Sequence, residues 1–546
     1  MNVARSSVLR LGSLAMAFAV LQAQPQPEVT GARIRDRADI TLHVDTGRAN
    51  ASDGNRGDAG APLRSIQAAA DRALENRRLG RSTRVVVHAG EYREAIELND
   101  ASADAGAPLI TIEGSGSGEV IISGADLWTG WLHDQAGPLY RKEWPHRRGL
   151  APLPDGWEPV AADLRANPIV RRSEMVVVNG DRLEQVMVLP RLRLEAGTFH
   201  VEDATPARPG TIRLHPRGEA DPGHARVEVA IRPVLFTANH IGNLVLRGLT
   251  FRYAATPLQD GAVRINSCAN VLLEDLRIVS NNWNGLALHE SRDITVRRVT
   301  ANDNGAGGLG AWRARNLLIE DVEASRNNWR GAAGQFTGWA TGQKFFYVHD
   351  AMFRRFRAVG NAATGLWFDT DHSQITVEQA RLCENRTRGL FLEAVQGPFV
   401  LRDSVICDNG EIGIFATSVA NLTLERNRIT GNGQHQVWIP WMDDHHVLRH
   451  ERDYETGRPL EIRSERWTMT ANTIAGSDGS LLFSVGEWPF FFSTLRSDRN
   501  DWSHGDRADV FATYPRIHAS AARMDFAAWQ RKSRQDRTSS FSASKP

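Results

Sequence analysis

Gly365–Gln396 reads GLWFDTDHSQITVEQARLCENRTRGLFLEAVQ and contains the start of two successive turns of one repeat, GLWFD at Gly365 and GLFLE at Gly389. Outward from it, further runs begin with glycine: GAVRI at Gly261, GLALH at Gly285, GLGAW at Gly308, GAAGQ at Gly331 and GIFAT at Gly413. Successive gaps are 24, 23, 23, 34, 24 and 24 residues. A non-helical repeat of this length reads as a solenoid in which each repeat is one coil. Equivalent positions then stack, and the fifth column reads Ile265, His289, Trp312, Gln335, Asp369, Glu393, Thr417. Two carboxylates fall on adjacent rungs.

The coils are made of strands. Leu286 and Leu288, Leu366 and Phe368, Leu390 and Leu392, and Ile414 and Ala416 share one parity. Period two means a strand with one face inside. A second set recurs between them: NVLLEDL, DITVRRV, NLLIEDV, QITVEQA and NLTLERN. No helix fits in such a turn, so the chain is predicted to be all-β, a parallel β-helix. Asparagine stands four residues before each glycine from Asn281 through Asn304, Asn327, Asn361, Asn385 and Asn409. Asn tolerates left-handed backbone angles and its amide can bond along a stack.

The 546 residues are enough for more than one domain, and a formal charge of +1 argues against a nucleic-acid surface. Arg5 and Arg10 precede an apolar stretch, Leu11 to Leu21, so residues 1–23 read as a secretory signal and the mature chain as secreted or periplasmic. No segment is long enough to span a bilayer. Residues 24–123 hold PLRSIQAAADRALEN, an amphipathic helix expected to cap the open end of the solenoid, and the first coils. Residues 124–233 lose the repeat and read as an inserted β-rich domain. The main solenoid is placed at 234–500 and a C-terminal tail and cap at 501–546. Cys383 and Cys407 lie one coil apart and should stack; parallel side chains point the same way, so two buried thiols are expected.

Asn239 to Asn432, with VLRGLTFRYA, NNWRG, GLWFDTD and GLFLEA, resembles the carbohydrate-active right-handed β-helix proteins. The pattern is similar to glycoside hydrolase families 120 and 141, which combine a β-helix with an inserted β-rich domain. In family 120 an Asp in a W-x-D strand is the nucleophile, and a Glu one coil later in an L-F-x-E strand is the acid/base. Trp367-Phe368-Asp369 and Leu390-Phe391-Leu392-Glu393 match those strands, so the resemblance implies Asp369 as nucleophile and Glu393 as acid/base.

Strand parity points Trp367, Asp369, Asp371, Phe391 and Glu393 outward. Adjacent rungs lie about 4.8 Å apart, the separation of a retaining glycosidase pair. Trp367, Phe391, Phe415 and Trp438 form an outward aromatic column, either a sugar platform or a satellite core under a cover. The long 34-residue gap leaves extra residues near QFTGWATGQK, bringing Trp339 and Lys344 to the pocket wall. His289 and Trp312 stand in the carboxylate column two or three coils away, where they reach a distant subsite or face solvent. Asp443, Asp444, His445, His446 and His450 suggest a metal, but a solvated loop lining the cleft is the better account; no metal or cofactor is expected. The expected partner is a carbohydrate. Nucleic acid and, after signal cleavage, membrane are not expected; the oligomeric state is left open. The competing functions are a polysaccharide lyase or uronate epimerase, for which Lys344 and Arg388 would neutralise a uronate, and a non-catalytic glycan-binding solenoid.

Overall fold

The computed structural model describes residues 29–134, 138–152, 168–218, 220–331, 343–440, 448–476, 479–505, 507–515 and 519–543. The signal segment, Trp339, Gln335 and the stretch from Asp443 to His446 lie outside them.

The solenoid has three faces. The first stacks Gly261–Asn266, Asn284–His289, Leu309–Glu320, Gln343–Arg354, Leu366–Glu378, Arg388–Val395, Ile412–Val419 and His435–Ile439 in parallel. The second carries the NVLLEDL-type strands, and the third is built of short strands such as Arg381–Cys383 and Val405–Cys407. Leu286, Leu309, Leu366, Leu390 and Ile414 line one interior and are at most 2% exposed.

Each turn from the first face to the second carries a left-handed residue: Ser267 (φ 50°), Glu290 (49°), Arg313 (52°), Tyr347 (54°), Ala394 (49°) and Ser418 (52°). L-residues adopt this region rarely, and the stack holds it with inter-coil bonds from the same amides, such as Glu290 N–H to Trp312 O at 2.8 Å. One coil has two such residues, Thr370 (59°) and Asp371 (54°), and its register shifts between Asp369 and His372. That is a bulge at the corner, directly after Asp369.

At the opposite corner the buried asparagines form a ladder. Asn361 Nδ2 donates to Asn385 Oδ1 at 2.9 Å, Asn385 to Asn409 at 3.0 Å and Asn409 to Asn432 at 2.8 Å. The ladder explains the glycines. A Cβ on Gly365 would lie 2.7 Å from both the Asn385 amide and the Gly389 carbonyl. Two glycines depart from the predicted series. Gly261 pairs with Asn284, so Ile265 is buried and Asn266 takes the place beside His289. Beside Leu366 stands Gln343 rather than a residue next to Gly331, and Phe346 occupies the column between Trp312 and Asp369.

The two cysteines also differ from expectation. Cys383 and Cys407 are a disulfide, with Cα atoms 4.5 Å apart. Directly paired residues of adjacent parallel strands are close enough to bridge.

The Ile66–Arg78 helix, capped by Ser65, covers the first coil with Ile66, Ala69, Ala70, Ala73 and Leu74. At the other end Phe526–Ser533 seals the stack with Trp529 against Phe483 and Phe511. Coil pairing runs on past residue 500, through Asp501–His504, Phe511–Tyr514 and Ser540–Ser542, so the segment read as a tail contributes strands to the solenoid. Between the first coils and the main stack, the described residues between 125 and 230 include a four-stranded and a five-stranded sheet around Trp144, Phe199, Ile212, Leu214 and Val229.

Candidate active site

The outward positions of the first face create a cleft by a change in side-chain size. One column runs Arg264, Ala287, Gly310, Lys344, Trp367, Phe391, Phe415, Trp438. Its neighbour runs Asn266, His289, Trp312, Phe346, Asp369, Glu393, Thr417. Where the first column shrinks to Ala287 and Gly310 a floor opens. His289, Trp312 and Phe346 wall it on one side, Trp283 and Gln259 on the other, and Lys344 and Asp369 close one end; the cleft measures about 650 Å³.

Asp369 pairs in register with Glu393 on the next rung. Each carboxylate has its own cation. Lys344 Nζ is 2.7 Å from Asp369 Oδ2, and Arg449 donates to Glu393 Oε1 at 2.8 Å. Thr370 Oγ1 donates to Asp369 Oδ1 at 2.8 Å. Burial raises the Glu393 pKa and the Asp369 charge raises it further; Arg449 and Lys344 oppose this without cancelling it. The two carboxyls therefore differ in environment while standing side by side, the arrangement that divides acid from base.

Arg449 was not legible in the sequence. It rides on an antiparallel hairpin, Leu448–Arg452 with Pro459–Arg463, emitted after the Trp438 strand. Glu451, 3.4 Å from Arg449, is a third carboxyl of the group, its pKa raised by burial and by Asp369 and Asp371. Trp283 and Phe346 were missed as well, Phe346 because the coil register was taken from Gly331.

Asp371 is not in the cleft. The corner bulge breaks strand parity and turns it into a fully buried bracket. It accepts from Gln396 Nε2 at 2.6 Å and Tyr454 N–H at 2.9 Å, and lies 3.3 Å from His349 Nε2. Burial works against protonation of His349, but the Asp371 carboxylate outweighs it and raises the pKa. With Asp453 this group brings three ligand-type atoms within 4.8 Å. Their hydrogen bonds are already made: Asp453 Oδ1 accepts from Glu455 N, Thr456 N and Thr456 Oγ1. The cluster braces the hairpin against the solenoid. His450, the described member of the suspected metal stretch, is exposed beside Glu461.

The aromatic column is a covered cluster, not an open platform. Trp367 stacks on Phe391 at 4.9 Å; both are buried, and Trp438 is half-buried at the end of the row. Lys344 Nζ lies 4.0 Å from the Trp367 ring centre, and Arg388 sits over Phe391 and Phe415 at 4.8 and 4.5 Å. Arg388 therefore packs on aromatic faces.

A family model for the right handed beta helix region matches residues 245–448. Comparison with curated proteins finds no match. Among solved structures, the complex of XylC with xylose superimposes with a TM-score of 0.66 at 14% identity, covering 85% of this chain and 83% of that one. Two looser superpositions are the lacto-N-biosidase from Eubacterium ramulus (TM-score 0.43, 9% identity, 92% of this chain and 67% of that one) and the A-module of the Azotobacter vinelandii mannuronan C-5 epimerase AlgE6 (0.41, 14%, 90% and 98%). The chain is a right-handed parallel β-helix protein.

Proposed function

We propose that the protein is a carbohydrate-active enzyme, and specifically a retaining glycoside hydrolase with Asp369 as nucleophile and Glu393 as acid/base. The observation that carries this is the in-register Asp369–Glu393 pair at one end of the cleft, each carboxyl with a separate cation and Glu393 biased toward its protonated form. Rungs about 4.8 Å apart leave no room for the water that an inverting enzyme places between its carboxyls. Asp369 attacks the anomeric carbon as the bond to the leaving oxygen breaks, and Glu393 supplies the proton to that oxygen. Glu393, now ionised, takes a proton from water, which attacks the same carbon and frees Asp369. Trp312 and Phe346 offer the aromatic faces for the sugar.

Residues 1–23 are proposed to direct export. The Cys383–Cys407 disulfide supports an oxidising compartment.

The test is turnover of aryl glycosides, xylosides included because the fold relative was solved with xylose, with the product anomer followed by NMR in the first minutes. Retained configuration is expected. Asp369→Asn should remove activity, and Glu393→Gln should slow poor leaving groups by about 10²–10⁴-fold, with azide restoring part of the loss on activated substrates. An inverted product, or full activity in Asp369→Asn, overturns the assignment. A second reading, lyase or uronate epimerase, draws on Lys344 and Arg449 beside the carboxylates; it requires an unsaturated ultraviolet-absorbing product or an epimerised uronate.

A further inference from the structure

A second cavity, about 540 Å³, lies at the seam between the inserted sheets and the solenoid, away from Asp369 and Glu393. Among the described residues its wall carries Arg182, Arg191, Arg217 and Arg330 against one carboxylate, Glu184, and Glu184 is already paired with Arg191 at 2.8 Å. Arg330 is buried and, among the described residues, donates to neutral acceptors: Asn282 Oδ1 at 2.8 Å, Gln185 Oε1 at 2.8 Å and the Glu174 carbonyl at 2.6 Å. Arg182 lies over Trp329, 3.8 Å from the ring centre. Among the described residues no carboxylate is within ion-pair distance of Arg182, Arg217 or Arg330. Met187 and Val188 are 39% and 54% exposed at the lip.

A buried guanidinium without a counter-charge is costly to desolvate. Buried Arg330, half-buried Arg182 and exposed Arg217 stand around one opening and together supply a standing positive potential. A guanidinium fork suits a carboxylate, which it can hold through two parallel bonds. The cavity is larger than an inorganic ion needs, and the apolar lip and the indole offer a wall for the carbon face of a ring. Glu184 on the rim counts against a dianion such as phosphate.

We propose that this seam is a binding site for an acidic saccharide, with the uronate carboxylate held by Arg182 and Arg217 in the field of Arg330. That the ligand is a saccharide rests on the glycoside-processing function proposed above; that it is a carboxylate rests on the arginines alone. Asn282, which accepts from Arg330, is followed by Trp283, which lines the cleft. The seam and the cleft thus flank one short segment.

The experiment is calorimetric titration of the full chain, carrying Asp369→Asn so that no substrate is consumed, with digalacturonate, its dimethyl ester and inorganic sulfate. Digalacturonate should bind and weaken as salt is raised. Arg182→Gln and Arg217→Gln should each weaken it at least tenfold. Arg217 is exposed, so its variant keeps the test valid if Arg182→Gln folds poorly. Equal binding of the ester, equal binding of sulfate, or unchanged affinity in Arg217→Gln overturns the proposal, as does no binding of the acid at millimolar concentration. In the background with Asp369 intact, both arginine variants should hydrolyse neutral aryl glycosides at the parental rate. Failure of the seam site would leave that hydrolysis intact, and failure of the glycosidase assignment would leave the titration result standing.

Discussion

Glu393 is where single-residue chemistry is most exposed to its surroundings. Burial and the Asp369 charge raise its pKa, while Arg449 acts in the opposite direction. Arg449→Gln removes a lowering influence, so the Glu393 pKa should rise further. If Glu393 is the general acid, activity falls as pH rises through that pKa. The basic limb of the pH profile of kcat/KM, measured with a poor leaving group, should then move to higher pH in Arg449→Gln. A basic limb that stays in place or moves to lower pH would separate Arg449 from the acid. Lys344 acts on the same carboxyl more weakly and sits against Asp369 itself.

At the scale of elements, the corner bulge and the hairpin belong together. The extra residue after Asp369 turns Asp371 into the hairpin's anchor, through Tyr454 N–H, Gln396 and His349. Asp371→Ala leaves buried His349 and half-buried Gln396 and Tyr454 without their acceptor. An unsatisfied buried group costs roughly 1–3 kcal/mol; with one donor buried and two within reach of water, thermal unfolding should show a loss of about 2–3 kcal/mol. Limited proteolysis should cut first within residues 448–463, and activity should fall, because Arg449 travels on this hairpin. A variant with parental stability and protease resistance would show that the bracket does not hold the hairpin.

Across the whole molecule, stability comes from stacked repetition, and two features outside the apolar core can be tested. The Cys383–Cys407 disulfide joins neighbouring coils 24 residues apart. Cross-links closing loops of this size stabilise by roughly 3 kcal/mol, largely through the unfolded chain. The Cys383→Ala/Cys407→Ala pair should lower the denaturant midpoint accordingly; an unchanged midpoint would mean the stack alone fixes these strands. The second feature is the charge ladder on the second face. Burial works against ionised Glu274, but hydrogen bonds from Arg247, Arg297 and Arg298 outweigh it and hold its pKa down to about 2. Its folded pKa lies below the ordinary carboxylate value near 4.3. The stabilisation is therefore present above that ordinary value and disappears as pH falls through about 2. The stability gap between the parent and Glu274→Gln should be constant near neutral pH, narrow below about pH 4 and close near pH 2. A gap independent of pH would assign the residue a packing role only.

The repeat was readable because a solenoid writes its architecture in local terms. Period-two alternation, glycines where the asparagine ladder presses on the backbone, and a 23–24-residue step are all imposed within one coil and its neighbour. By the same rule the sequence alone placed Asp369 beside Glu393; Lys344 was expected at the pocket wall only from the insertion that precedes Gly365. It failed wherever the rule was interrupted. Asp371 was placed outward because parity was carried through a bulge that two left-handed residues create. The glycine series aligns Gly261 with Gly285, although Gly261 pairs with Asn284, and it aligns Gly331 with Gly365, although the described strand that pairs there starts at Gln343. The aromatic column stayed open between a sugar platform and a covered core, because nothing local shows that Lys344 and Arg388 lie over it. Only the tertiary structure decided which cation meets which carboxylate, that the cleft opens over Ala287 and Gly310, and that arginines of the inserted sheets and the solenoid share one seam. Those contacts join segments far apart in the chain, and no periodicity of the sequence encodes where an insertion folds back.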